Sequence, residues 1–154
     1  MSYNTDFLMS AMIILMLILW QFTKQKRPND FNNKVFLFLV VLASLDVSFE
    51  MISTYFINLK ESAIISTTIF YVLQALLPFA LVCYIRTLRE NKIISITEMV
   101  LVGIPTMLLL SIVLTNPFTN LLFYFDPTLG YVKGSWYMIM YYGAFFHIAL
   151  GCLM

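Results

Sequence analysis

The sequence predicts an all-α, polytopic transmembrane helix bundle of about five spans, with the N-terminus outside and a small β-hairpin-like outer loop between spans four and five. Three observations carry that expectation. The 154 residues are 61% hydrophobic and 11% charged, with a mean hydropathy of +0.88. A soluble domain is nearer half apolar and a quarter charged, so the composition is that of an integral membrane protein. Five runs with little or no charge fall at about 7–23, 35–58, 62–85, 94–115 and 135–154, each near the ~20 residues a helix needs to cross a bilayer. The basic residues are unevenly placed: Lys24, Lys26, Arg27 and Lys34 lie between spans one and two, and Arg86, Arg89 and Lys92 between three and four. The other two connections hold only Lys60 and Lys133. By the positive-inside rule the first and third connections face inward. The formal charge of +1 leaves no footprint for a nucleic acid.

The first run, FLMSAMIILMLILWQFT, has no basic residue before Lys24 and no small-residue cleavage site after it. It therefore reads as a retained anchor rather than a secretory signal. Trp20 suits an interface, and Pro28, Asn29 and Asp30 break the chain into a loop. The second span, Val35–Asn58, carries Asp46 and Glu50 four residues apart, so both project from one helical face. Facing lipid, that pair would cost a few kcal/mol or more per charge, so the face should turn inward.

The third span contains Pro78, with Gln74 one turn earlier; a kink is expected there because proline removes a donor and crowds the preceding turn. In the fourth, Ser95-Ile96-Thr97-Glu98 fits a capping box, Pro105 predicts a second kink, and Pro117 is expected to end the helix. In the outer loop, Asp126-Pro127-Thr128-Leu129-Gly130 reads as a turn with Gly130 in the left-handed region. Leu121–Phe125 and Tyr131–Lys133 are its β-like arms. Cys83 and Cys152, far from any paired spacing, read as small buried apolar residues.

Three polar side chains on three spans fall at one level. At 1.5 Å per residue, Asp46 lies roughly 17 Å from the inner end of its span, with Gln74 and His147 at about the same depth. Gly143 and Gly151 flank His147 on its own face, which lets a neighbouring backbone come close. Two arrangements follow. Asp46, Glu50, Gln74 and His147 gather into a site for a proton or small ligand, or His147 hydrogen-bonds a backbone carbonyl and the polar groups hold helices together. One histidine and two carboxylates make a weak metal set, and no nucleophile, zinc or phosphate-loop motif is present. No metal, cofactor or catalytic residue is expected.

The basic first inner loop, a fourth span ending in Asn116-Pro117-Phe118-Thr119, and then LLFYFDPTLGYVKGSWY together resemble the N-terminal membrane region of bacterial sensor proteins. In these, often of Gram-positive type, a multi-span bundle precedes a cytosolic GGDEF diguanylate cyclase or histidine kinase. The resemblance rests mainly on Asn116–Tyr137, with Asn116, Pro117, Asp126 and Gly130 marking the loop. It implies about seven spans, a multi-pass location in the bacterial cytoplasmic membrane, and a homodimer. The stimulus would be an unidentified small ligand or lipid. Residues 1–154 would form a single sensor-like domain truncated before its output domain, since no GGDEF-type sequence or phosphoacceptor helix matches any position. The chain by itself is then expected to be a non-enzymatic sensory or anchoring region. The alternative is part of a transporter or channel with an Asp/Glu/His proton or cation path.

Overall fold

The computed structural model describes residues 5–25, 31–56, 60–90, 95–126 and 130–153. Five helices and one hairpin follow in order: α1 (Thr5–Lys24), α2 (Phe31–Tyr55), α3 (Lys60–Glu90), α4 (Ile96–Thr119), β1 (Phe123–Asp126), β2 (Gly130–Lys133) and α5 (Ile139–Leu153). The first four helices are long and apolar enough to cross a membrane. α5 is also apolar but has 15 residues.

α3 is the central element. It packs against α2, α4 and α5 and touches β1, while α1 packs chiefly on α2. A bundle in lipid has no water to drive its outer faces together, and large apolar side chains accordingly line the outside. Phe7, Ile13 and Trp20 of α1, Phe38 of α2, Ile104 and Met107 of α4 and Phe145 of α5 are all exposed. The buried apolar cluster sits at the hairpin end, where Tyr71 and Ala75 of α3 meet Leu109 and Val113 of α4, Leu122 and Phe123, and Met140 of α5.

Ring contacts fix the other end. Phe22 packs on Phe36 at 5.3 Å and Phe36 on Tyr84 at 5.6 Å. The last turn of α1, the start of α2 and the last turns of α3 therefore meet, which puts Lys24, Lys34, Arg86 and Arg89 at one end of the bundle. Arg86 and Arg89 are helical, within α3, where the sequence pattern suggested a loop. Cations are favourable near a helix C-terminus, so those residues extend α3 instead of ending it. The expectations for residues 26–30, 57–59, 91–94 and 127–129 lie outside the described residues.

Four further corrections concern boundaries and burial. Pro117 does not end α4: the helix continues to Thr119, and Asn120 caps it at φ 56° with its N–H on the Asn116 carbonyl. Proline costs the helix only its own donor, and in a last turn little remains to be broken. Pro78 and Pro105 lie inside α3 and α4, where the span boundaries placed them. The fifth helix starts at Ile139, not Ser135, because the backbone before it is engaged elsewhere. Gly134 N–H donates to the Leu122 carbonyl at 2.8 Å and Trp136 N–H to that of Leu121 at 2.9 Å. A Cβ at Gly134 would stand 2.1 Å from the Leu121 oxygen, so only glycine fits this crossing. Cys152 is exposed on the side of α5 and Cys83 is half-buried.

The hairpin is antiparallel, with Phe123 opposite Lys133, Tyr124 opposite Val132, Phe125 opposite Tyr131 and Asp126 opposite Gly130. Gly130 has φ 71°, the left-handed conformation expected of it. The first arm is shorter than Leu121–Phe125 suggested, because Leu121 and Leu122 are spent on the crossing with Gly134 and Trp136.

Candidate functional site

His147 is fully buried, at 0% exposure. Its Nδ1 lies 2.7 Å from the Gly143 carbonyl, one turn earlier in α5. A carbonyl only accepts, so Nδ1 carries the proton and, in the neutral ring, Nε2 is an acceptor. The Thr106 hydroxyl of α4 meets Nε2 at 2.8 Å and donates to it, with the Val102 carbonyl a more distant second acceptor at 3.3 Å. Glycine makes this approach possible. A Cβ at Gly143 would fall 2.5 Å from Leu109 Cδ1, and one at Gly151 would fall 3.1 Å from Val82 Cγ2. His147 thus binds α5 to α4 through satisfied hydrogen bonds. Among the described residues, none joins it to Asp46, Glu50 or Gln74.

Those three behave differently. Asp46 Oδ1 and Gln74 Oε1 are buried and accept no hydrogen bond among the described residues. The carboxylate of Glu50 is one turn from that of Asp46, close enough for mutual repulsion. Around them the hydroxyls of α2 turn back on their own helix: Ser44 to the Val40 carbonyl, Ser48 to Ser44, and Ser53 and Thr54 to Glu50. None of these hydroxyls donates to Asp46 Oδ1. Leaving a buried acceptor without a donor costs about 1–3 kcal/mol, more if it is charged.

At the hairpin, the buried Asn116 amide and the Tyr71 and Tyr131 hydroxyls are paired. Asn116 is 1% exposed, and its Oδ1 accepts from Leu122 N–H at 2.6 Å and Phe123 N–H at 3.3 Å. Its Nδ2 donates to the Phe123 carbonyl at 3.0 Å. One amide therefore ends α4 and starts β1. The hydroxyls of Tyr71 and Tyr131 meet at 2.7 Å, tying α3 to β2. Phe123 stacks on Tyr71 at 5.3 Å and on Tyr131 at 6.1 Å. Tyr71 also meets Tyr137 edge-on, and Lys133 Nζ lies 4.1 Å over the Tyr137 ring.

At the opposite end, Glu98 completes the expected capping box with Ser95 and also pairs with the buried guanidinium of Arg86. The sequence offered Arg86 only as a topology signal. Arg86, Thr106, Tyr71 and Tyr131 carry contacts between elements that reading of the sequence missed. Their partners lie 12, 41 and 60 positions away along the chain, beyond any helical or strand period. Among the described residues no group of three or more His, Cys, Asp and Glu side chains is placed to hold a metal ion.

No family model, curated protein or solved structure matches the chain. The class of protein is therefore carried by its own geometry: a helical membrane protein with four span-length apolar helices and a docked hairpin.

Proposed function

We propose that the chain is the membrane-embedded sensory and anchoring region of a bacterial signal-transduction protein, in the cytoplasmic membrane with the hairpin outside. The supporting observation is the continuity of α3. Near its start Tyr71 holds the hairpin, and near its end Arg86 holds Glu98. The 15 residue steps from one to the other span about 22 Å at helical rise. A stimulus acting on the hairpin has one continuous helix through which to bias the inner end. It does so only to the extent that it binds one packing better than another.

Cys83 lies on α3 between these contacts, so its alkylation rate reports the inner half. Replacing Tyr131→Phe removes one hydroxyl at the hairpin and leaves the aromatic packing in place. The expected result is a change of about threefold or more in Cys83 alkylation by a permeant maleimide, with Cys152 on α5 as the internal reference. Unchanged Cys83 reactivity would remove the basis for transmission.

A second reading, a proton or cation path, is favoured by the unanswered oxygens of Asp46 and Gln74. It no longer includes His147, whose ring is saturated by Gly143 and Thr106. In proteoliposomes with a pH-sensitive dye, this reading requires a wild-type flux that Asp46→Asn abolishes. Equal rates in both proteins would end it.

A further inference from the structure

Between the start of α3, the end of α4 and β1 lies a cavity of about 310 Å³, lined by Ile64, Asn116, Pro117, Asn120 and the run Phe123–Phe125. That volume is near the lower end of small-molecule sites, about 300–1,000 Å³, and is roughly ten times one water's share. The lining has no charged side chain. Its chemistry is set instead by aromatic rings and by the C-terminal end of α4, which carries about half a negative charge from aligned peptide dipoles.

Among the described residues, only Asn116 of the last four α4 positions gives its carbonyl to a backbone N–H beyond the helix, that of Asn120. Leu122 N–H, which could have served the last turn, goes to the Asn116 side chain instead. Pro117, which lines the cavity, therefore keeps the acceptor capacity of its carbonyl there. Of the rings, Phe123 is occupied by its two stacking partners, whereas Tyr124 is 38% exposed. The basic residue opposite Phe123 in the register, Lys133, is directed to Tyr137. An anion finds no cation and the wrong end of a helix here, and a hard metal ion finds no carboxylate.

We infer that this cavity receives an alkylammonium group, with the Tyr124 face and the Pro117 carbonyl as its partners. Carbonyl oxygens and an aromatic face both attract a cation that is weakly hydrated. The group could be presented by a lipid headgroup at the outer interface or arrive as a free amine; the chemistry at the cavity is the same. The inference rests on the sensory reading and supplies its ligand class.

The test uses the whole chain in nanodiscs, with Trp136 fluorescence and saturation-transfer NMR as readouts. Choline is the cationic probe and 3,3-dimethyl-1-butanol its uncharged isostere. In phosphatidylglycerol nanodiscs, choline is expected to bind at least tenfold more tightly than the isostere. Tyr124→Phe should retain that preference, and Tyr124→Leu should lose it. If the headgroup is the source, phosphatidylcholine nanodiscs will abolish added choline binding by occupying the cavity, and Tyr124→Leu will leave no such difference between lipids. Equal binding of choline and the isostere, or a choline preference that survives Tyr124→Leu, overturns the inference. No choline signal in phosphatidylglycerol also overturns it. Binding that follows Tyr124 but leaves Cys83 alkylation unchanged would instead sink the sensory reading and leave the cavity standing.

Discussion

The hairpin end of the bundle and the middle of α2 and α3 treat buried polar atoms in opposite ways. Around Asn116 each amide atom has a partner, and the Tyr71 and Tyr131 hydroxyls satisfy one another. Around Asp46 and Gln74, buried oxygens have none. Both regions hold buried polar atoms, so burial alone does not separate them. What separates them is whether a donor was supplied. The first arrangement rigidifies, since a network with all members satisfied specifies one geometry. The second carries a stability cost that packing does not require, because an apolar side chain of similar shape would avoid it.

Four substitutions test that contrast. The largest effect is expected from Asn116→Ala, which strands the Leu122 and Phe123 N–H groups in a buried site. Roughly 2–5 kcal/mol should be lost, measured as unfolding in detergent or by steric trapping in bicelles. A loss below that range would mean that the aromatic stack alone docks the hairpin. Gly143→Ala comes next. Its Cβ would meet three Leu109 atoms at 2.5–3.2 Å, and displacing that leucine should cost about 1–3 kcal/mol.

Thr106→Val isolates the link between α4 and α5. It removes the donor to His147 Nε2 at nearly constant volume, for an expected loss of about 1 kcal/mol. The imidazole ¹⁵N shifts should report an unpaired Nε2 with Nδ1 still protonated. Retention of the wild-type shifts would refute the hydrogen bond from Thr106 to Nε2. The smallest effect should come from Gln74→Leu. Removing an amide whose oxygen has no partner is expected to be neutral or stabilising by up to about 1 kcal/mol. A clear destabilisation would show that Gln74 is engaged after all, and the contrast with Asn116 would lose its second term.

Much of the architecture was legible because membrane insertion is governed by local composition. An apolar run of about twenty residues forms a helix wherever lipid denies its backbone any other partner. The capping box at Ser95 and Glu98 and the left-handed Gly130 were readable for the same reason: their partners lie within a turn of chain. Proline was the misleading local signal. At Pro117 the rule that proline stops a helix gave way to Asn116, whose side chain decides where the chain turns.

The candidate site was only half legible. Periodicity put Asp46 and Glu50 on one face of α2, and helical rise put Gln74 and His147 at a similar depth. Depth is one coordinate of three, and His147 turned toward Thr106, a residue with no distinguishing pattern in the sequence.

The sequence by itself determined which segments become span-length helices, which ends carry the basic residues, and where the chain doubles back as a hairpin. These follow from transfer free energies and dihedral preferences that each residue brings with it. Only the tertiary structure decided which polar atoms are answered. Donors and acceptors satisfy one another at about 3 Å and within a narrow angle, so their pairing depends on how whole helices rotate and slide. For α5 that is set by the close approach of Gly143 and Gly151 to Leu109 and Val82.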